Sequence, residues 1–103
     1  MRIVFAALAR AGLRDIVRYI ATDNPARARS FSRMLREAAL EIAHHPSGYP
    51  VVVRHLSDDI RRKAWRDYLI FYRINDSTVT IIDIQHGARD YSALLEPAPP
   101  TDE

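Results

Sequence analysis

Two periods of apolar residues divide the chain. Leu13, Ile16, Val17 and Ile20 recur at i, i+3, i+4 and i+7, which puts four apolar side chains on one helical face. The spacing predicts a helix over residues 8–21. Thr22, Asp23, Asn24 and Pro25 then supply a break, a capping side chain and a proline suited to a first helical turn. A second helix follows, because Ala28, Phe31, Leu35, Ala39 and Ile42 keep the helical period as far as residue 43. With so short a loop between them, the two helices are expected to run antiparallel as a hairpin. His44, His45, Pro46, Ser47, Gly48, Tyr49 and Pro50 end the second helix, since two prolines and a glycine this close together cannot continue it.

Past the turn at Ser57, Asp58 and Asp59 the period becomes two. Ile60, Arg62, Ala64 and Arg66 alternate with Arg61, Lys63 and Trp65, and Tyr68, Ile70, Tyr72 and Ile74 alternate with Leu69, Phe71 and Arg73. Asn75, Asp76 and Ser77 have turn chemistry, and residues 79–84 form a third strand with almost no polarity, as expected of one buried on both faces. Tight connections make these strands an antiparallel meander. A short β-prone run, residues 2–6, opens the chain, and Val51, Val52 and Val53 read as a strand extension. The helical hairpin has no other apolar surface to cover, so it must pack on one face of the sheet. The expected class is α+β: an N-terminal strand, an antiparallel helical hairpin, then a three-stranded antiparallel meander, in one domain over residues 1–95. Residues 96–103 form an acidic, proline-rich tail, expected to be disordered when alone.

Composition narrows the function classes. At 103 residues the chain fits one core, and 48% hydrophobic with 27% charged residues excludes a wholly disordered protein. There is no apolar run of about 18 residues and no signal-peptide pattern, so a cytoplasmic protein without membrane contact is expected. With no cysteine there is no disulfide, zinc-thiolate site or thiol nucleophile. The pair His44 and His45 lacks a third ligand at a recognised spacing and reads as helix-end polar groups, so neither metal nor cofactor is expected. Charge is uneven: residues 1–56 carry nine arginines against four acids, residues 57–103 six basic residues against nine acids. Fourteen of the fifteen basic residues are arginine, whose donor fork suits carboxylates and phosphates. Acidic partners fit this balance, although surface arginine also serves simply to solvate.

Candidate chemistry gathers between Arg61 and Tyr91. Cleavage of RNA needs a general base, a general acid and cations around a pentacoordinate phosphate. Lys63 or His86 supplies a base, Arg61, Arg66, Arg73 and Arg89 supply cations, and Tyr91 stacks on a base or donates a proton. Against this, the chain lacks the lysine-rich character of a ribosomal RNA binder, and its sheet half is net negative. Each residue also has a structural role open to it. Arg73 can pair with Asp83 across the sheet, Trp65 can be core, Arg89 can pair locally with Asp90, and His86 can fix a strand end by hydrogen bonding.

Four features together resemble the RelE/ParE superfamily of toxins from bacterial type II toxin–antitoxin systems, over residues 2–95. These are the order strand, helical hairpin, meander; the run Asp15-Ile16-Val17-Arg18-Tyr19-Ile20-Ala21 followed by Asp23-Asn24-Pro25-Ala26; the run Tyr68-Leu69-Ile70-Phe71-Tyr72-Arg73-Ile74; and His86-Gly87-Ala88-Arg89-Asp90 with Leu94 and Leu95. The His-Gly-Ala-Arg-Asp ending is typical of the ParE branch. What the resemblance implies divides by branch, because one fold serves both. ParE-like members inhibit DNA gyrase without catalysis of their own, and this is the preferred expectation, with Arg61, Arg62, Trp65, Arg66, His86, Arg89 and Tyr91 as target-binding residues. RelE-like members are ribosome-dependent mRNA endoribonucleases, for which Lys63, Arg66, His86, Arg89 and Tyr91 are the catalytic candidates. A third alternative is an inactive remnant that only binds antitoxin. The resemblance also implies a ParD-like antitoxin in a hetero-oligomeric complex, its amphipathic segment folding into a groove of the toxin. The basic stripes Arg10, Arg14, Arg18 and Arg29, Arg33, Arg36 are expected to meet its carboxylates.

Overall fold

Helices and strands form where the two periods and the breakers between them put them. The computed structural model describes residues 1–54 and 59–87, in the order β1 (Arg2–Phe5), α1 (Ala7–Ala21), α2 (Pro25–Leu40), β2 (Val51–Val53), β3 (Ile60–Trp65), β4 (Tyr68–Asn75) and β5 (Thr78–His86). Asn24 caps α2, its side-chain oxygen accepting the Arg27 N–H at 3.1 Å, and Pro25 occupies the first turn. The second helix stops at Leu40 and tightens into a 3₁₀ turn, Glu41–His44, before the prolines.

The sheet holds five strands in the order β1-β5-β4-β3-β2. β3, β4 and β5 form the expected antiparallel meander. β1 returns from the far end of the chain to lie parallel to β5, with Phe5 beside Ile81. The sheet is therefore mixed, and β5 is an interior strand flanked by β1 and β4, which accounts for its apolar sequence. Two-residue turns join the meander, with Arg66 and Asp76 at positive φ, 56° and 54°.

Side-chain alternation sorts the sheet into two faces. Ile70, Tyr72, Val79, Ile81 and Ile84 meet Leu13, Ile20, Phe31, Leu35 and Ile42 of the helical layer in one buried core. On the opposite face Val53, Ile60 and Phe71 form a smaller cluster with Val52, Leu69 and Ile82. Gly12 lets α1 lie close to β5, since a Cβ there would stand 2.9 Å from the Ile84 carbonyl oxygen. The ladder between β4 and β5 shifts register at Phe71/Tyr72, consistent with a bulge. As a result Asp83 stands opposite Phe71 and Arg73 opposite Thr80, so the expected cross-strand pair of Arg73 with Asp83 does not form. Asp83 is buried instead at the shift, where its carboxylate accepts the Ile84 N–H at 2.8 Å and Gln85 Nε2.

Candidate functional site

Lys63 is the residue that the structure treats least as the sequence suggested. Its position in β3 points it at the helical layer, where it is 7% exposed. Its ammonium donates to the Ala38 carbonyl at 2.7 Å and to Glu41 Oε1 at 3.0 Å, and lies 5.4 Å from the centre of the Tyr49 ring. Ala38 belongs to the last turn of α2, whose carbonyls lack helical partners, and α2 has no basic residue of its own there. Lys63 thus caps the helix from the sheet and places a positive charge at the negative end of its dipole. A proton-accepting role would require this ammonium to surrender its proton while held by a carbonyl and a carboxylate.

Arg61 is likewise engaged inside the fold. It donates to the Ser47 and Tyr49 carbonyls at 3.1 and 2.7 Å. Tyr72, fully buried, donates its hydroxyl to the Pro46 carbonyl, and burial pushes its pKa up to about 12. Together they tie the loop after α2 to the sheet. Arg62, paired with Phe71, lies on the opposite face from Arg61, Lys63 and Trp65. Arg62 therefore does not share a face with Arg61 and Trp65.

At the far end of the sheet an aromatic cluster does assemble. The Phe31 ring meets Trp65 and Tyr68 edge-on, at 5.5 and 5.1 Å between centroids, and Tyr68 meets His86 at 5.2 Å. Arg66 lies at the turn with its guanidinium 4.6 Å from the Trp65 ring centre and its Nη2 3.6 Å from Met34 Sδ. Trp65, Arg66 and His86 are thus brought together, with Trp65 half-buried against the helical layer. His86 packs edge-on against Tyr68 at the strand end, and the next residue, Gly87, donates its N–H to the Asp67 carbonyl at 2.7 Å. Burial raises the Tyr68 pKa; Asp67 adds to this, Arg27 opposes it, and Tyr19 adds a little. Arg89, Asp90 and Tyr91 lie outside the described residues, as does the tail from residue 96.

Two grooves flank α1. Between α1 and α2, Leu13 and Val17 floor a groove of about 290 Å³ whose rim carries Arg10, Arg14, Arg36 and Ser32. Arg10 also donates to the Phe5 carbonyl, and Arg36 sits 5.8 Å from the Phe5 ring centre. The two predicted basic stripes thus converge through Arg10, Arg14 and Arg36, while Arg18, Arg29 and Arg33 are exposed away from the groove lining. On the other flank, Gly12, Asp15, Ile16 and Tyr19 face Tyr68, Ile84 and His86 across a groove of about 480 Å³. Sequence reasoning missed this second groove. Its signal was present in Leu8, Gly12, Asp15 and Tyr19, which recur at i, i+4, i+7 and i+11 and so line up along α1.

His44 and His45 are exposed, with the His45 ring against Gly48, and the described residues hold no group of three or more metal-ligating side chains. Among them, no helix is long and apolar enough to cross a membrane.

Comparison with known proteins places this architecture. A chain of the chromosomal ParDE toxin–antitoxin system of P. aeruginosa superposes with a TM-score of 0.69 at 15% identity, over 84% of this chain and 95% of that one. A chain of the RelBE2 toxin–antitoxin complex of Mycobacterium tuberculosis superposes with a TM-score of 0.56 at 22% identity, over 82% and 95%. At these identities the likeness is one of fold. Among curated proteins no relative matches the sequence. The model of the ParE toxin family of parDE type II toxin–antitoxin systems matches residues 3–91, and the chain belongs to that family of the RelE/ParE superfamily.

Proposed function

We propose that this type II toxin acts by binding DNA gyrase, and that an antitoxin neutralises it by laying an acidic amphipathic segment in the groove between α1 and α2. The match to the ParE family over residues 3–91 carries the choice of target. The state of Lys63 supports it, because a candidate base of the ribonuclease alternative is committed to the end of α2. On the antitoxin side, the support is a groove with an apolar floor, Leu13 and Val17, and a basic rim, Arg10, Arg14 and Arg36. Apolar side chains of an incoming helix find the floor and its carboxylates find the guanidinium forks.

Expression without antitoxin tests the target. A gyrase inhibitor arrests growth with filamentation and a DNA-damage response, and the purified protein blocks supercoiling while leaving mRNA intact in a cell-free translation reaction. Cleaved mRNA with supercoiling unimpaired would overturn the reading in favour of an endoribonuclease. Normal growth with intact antitoxin binding would leave only the antitoxin-binding remnant.

A further inference from the structure

The larger groove, on the other flank of α1, shares His86 with the target-binding candidates and no residue with the antitoxin groove. Four large apolar side chains are exposed among the described residues, and two of them, Leu8 at 58% and Tyr19 at 79%, stand on the stripe that runs beside this groove. The stripe spacing, Leu8, Gly12, Asp15, Tyr19, is that of a seam between two packed helices. It extends about 16 Å along α1 at the rise of a helix, the length of three turns of a partner. Gly12 contributes a hole and no side chain. Ile16 and Ile84 form the apolar floor, with Tyr68 and His86 as the opposite wall.

Charge and aromatic surface select the partner. Asp15 is the one acidic residue of α1 and falls in the middle of the stripe. Asp67 lies next to Tyr68, and Tyr19, Tyr68 and His86 give the groove an aromatic lining. Arg27, approaching Tyr68 from α2, is the opposing charge nearby. Asp83 is buried beneath the groove, its Oδ1 3.5 Å from where a Gly12 Cβ would stand and its carboxylate accepting from the Ile84 N–H and Gln85 Nε2. The two flanks of α1 therefore differ in sign: one groove is rimmed by arginines, the other by a carboxylate and aromatic rings.

We infer that the groove formed by Gly12, Asp15, Ile16 and Tyr19 against Tyr68, Ile84 and His86 is a second docking site, taking an amphipathic helix of a partner protein that presents an arginine or lysine to Asp15. The site is defined by this groove alone and stands or falls apart from the gyrase and antitoxin readings. The test uses the full chain, ¹⁵N-labelled, and two synthetic alanine-rich helices. Both carry leucines one turn either side of a central residue, which is arginine in one and glutamate in the other. Amide shifts at Gly12, Asp15, Tyr19 and His86 are expected with the arginine helix, which binds about fivefold more tightly than its glutamate twin, the ratio expected of one exposed ion pair with a ring contact. Asp15→Asn reduces that ratio below about twofold while keeping the same shift map, and Tyr19→Ser weakens both helices. Absence of shifts at these amides, equal affinity of the two helices, or shifts centred on Arg10, Arg14 and Arg36 would each refute the assignment.

Discussion

Replacing Lys63 by methionine isolates what the buried ammonium does, because methionine keeps most of the apolar stem and removes the three donors. The Ala38 carbonyl then loses its 2.7 Å partner in the interior. An unsatisfied buried acceptor costs about 1–3 kcal/mol. The ion pair to Glu41 adds little, since that carboxylate side chain is 69% exposed and screened, about 0–1 kcal/mol. The ring contact with Tyr49 adds at most about 1 kcal/mol. Working the other way, the variant no longer has to desolvate a charge, which offsets part of the loss. The net expectation is a destabilisation on the order of 2 kcal/mol, or about 10 °C in Tm for a domain of this size. Urea unfolding followed by far-ultraviolet circular dichroism measures it, with Glu41→Gln as the companion variant costing less than about 1 kcal/mol. If Lys63→Met were as stable as the parent, the helix-capping account would be wrong. If Glu41→Gln cost as much as Lys63→Met, the ion pair and not the carbonyl would be the anchor.

Other consequences follow from the same geometry. Tyr72 has a folded pKa raised by burial to about 12 against an ordinary value of 10.0; its contribution to stability is whole below pH 10 and is lost as pH rises towards 12, because only the unfolded chain ionises readily there. Alkaline unfolding of Tyr72→Phe should therefore show a shallower loss of stability between pH 10 and 12 than the parent, and an identical slope would contradict the burial of the hydroxyl. Gly12→Ala gains about 1 kcal/mol of helix propensity but drives a Cβ to 2.9 Å from the Ile84 carbonyl oxygen; overpacking of about 1–3 kcal/mol should win, leaving a less stable protein by thermal melting. Asn24→Ala removes the acceptor of the Arg27 N–H and should cost about 1 kcal/mol in chemical denaturation. Arg14→Glu combined with Arg36→Glu should weaken antitoxin binding at least tenfold at physiological salt, whereas Arg18→Glu, outside the groove lining, should change it less than about threefold; an unchanged Kd for the double variant would remove the groove from the antitoxin reading.

Local signals carried the element order, and distance in sequence hid the rest. The start of α2 follows from breakers that act on their own neighbours, Asn24 and Pro25, whereas its end at Leu40 comes before Pro46, through the 3₁₀ turn Glu41–His44. β1 could be read as a strand, but its parallel pairing with β5 joins residues more than 70 apart, and no local pattern encodes that. The missing pair of Arg73 with Asp83 has the same origin. Alternation predicts partners only while the register is even, and the shift at Phe71/Tyr72 changes the pairing. Lys63 shows a different limit: at the level of sequence a lysine in a strand reads as surface, and only the arrival of the end of α2 above it makes burial favourable. The basic stripes were legible as stripes. Which of their arginines share a groove depended on the angle at which α1 and α2 pack, so three of the six converge.

α1 is a wall between two surfaces of opposite character, and this constrains how binding on one side can affect the other. A ligand in the basic groove presses on Leu13 and Val17, and a ligand in the aromatic groove presses on Ile16. These residues are neighbours on the same short helix. Gly12 holds that helix against Ile84, where the added volume of one methyl group already meets the strand's backbone. α1 therefore has little room to move toward β5, and displacement from either groove must be taken up by sliding along the strand or by α2. Close-packed layers shift between discrete arrangements and do not deform smoothly. Coupling between the grooves would thus require α1 to possess a second seat on β5. Gly12→Ala probes for one, since a helix with an alternative seat accommodates the methyl group at little cost, whereas a helix with a single seat pays the full overpacking penalty.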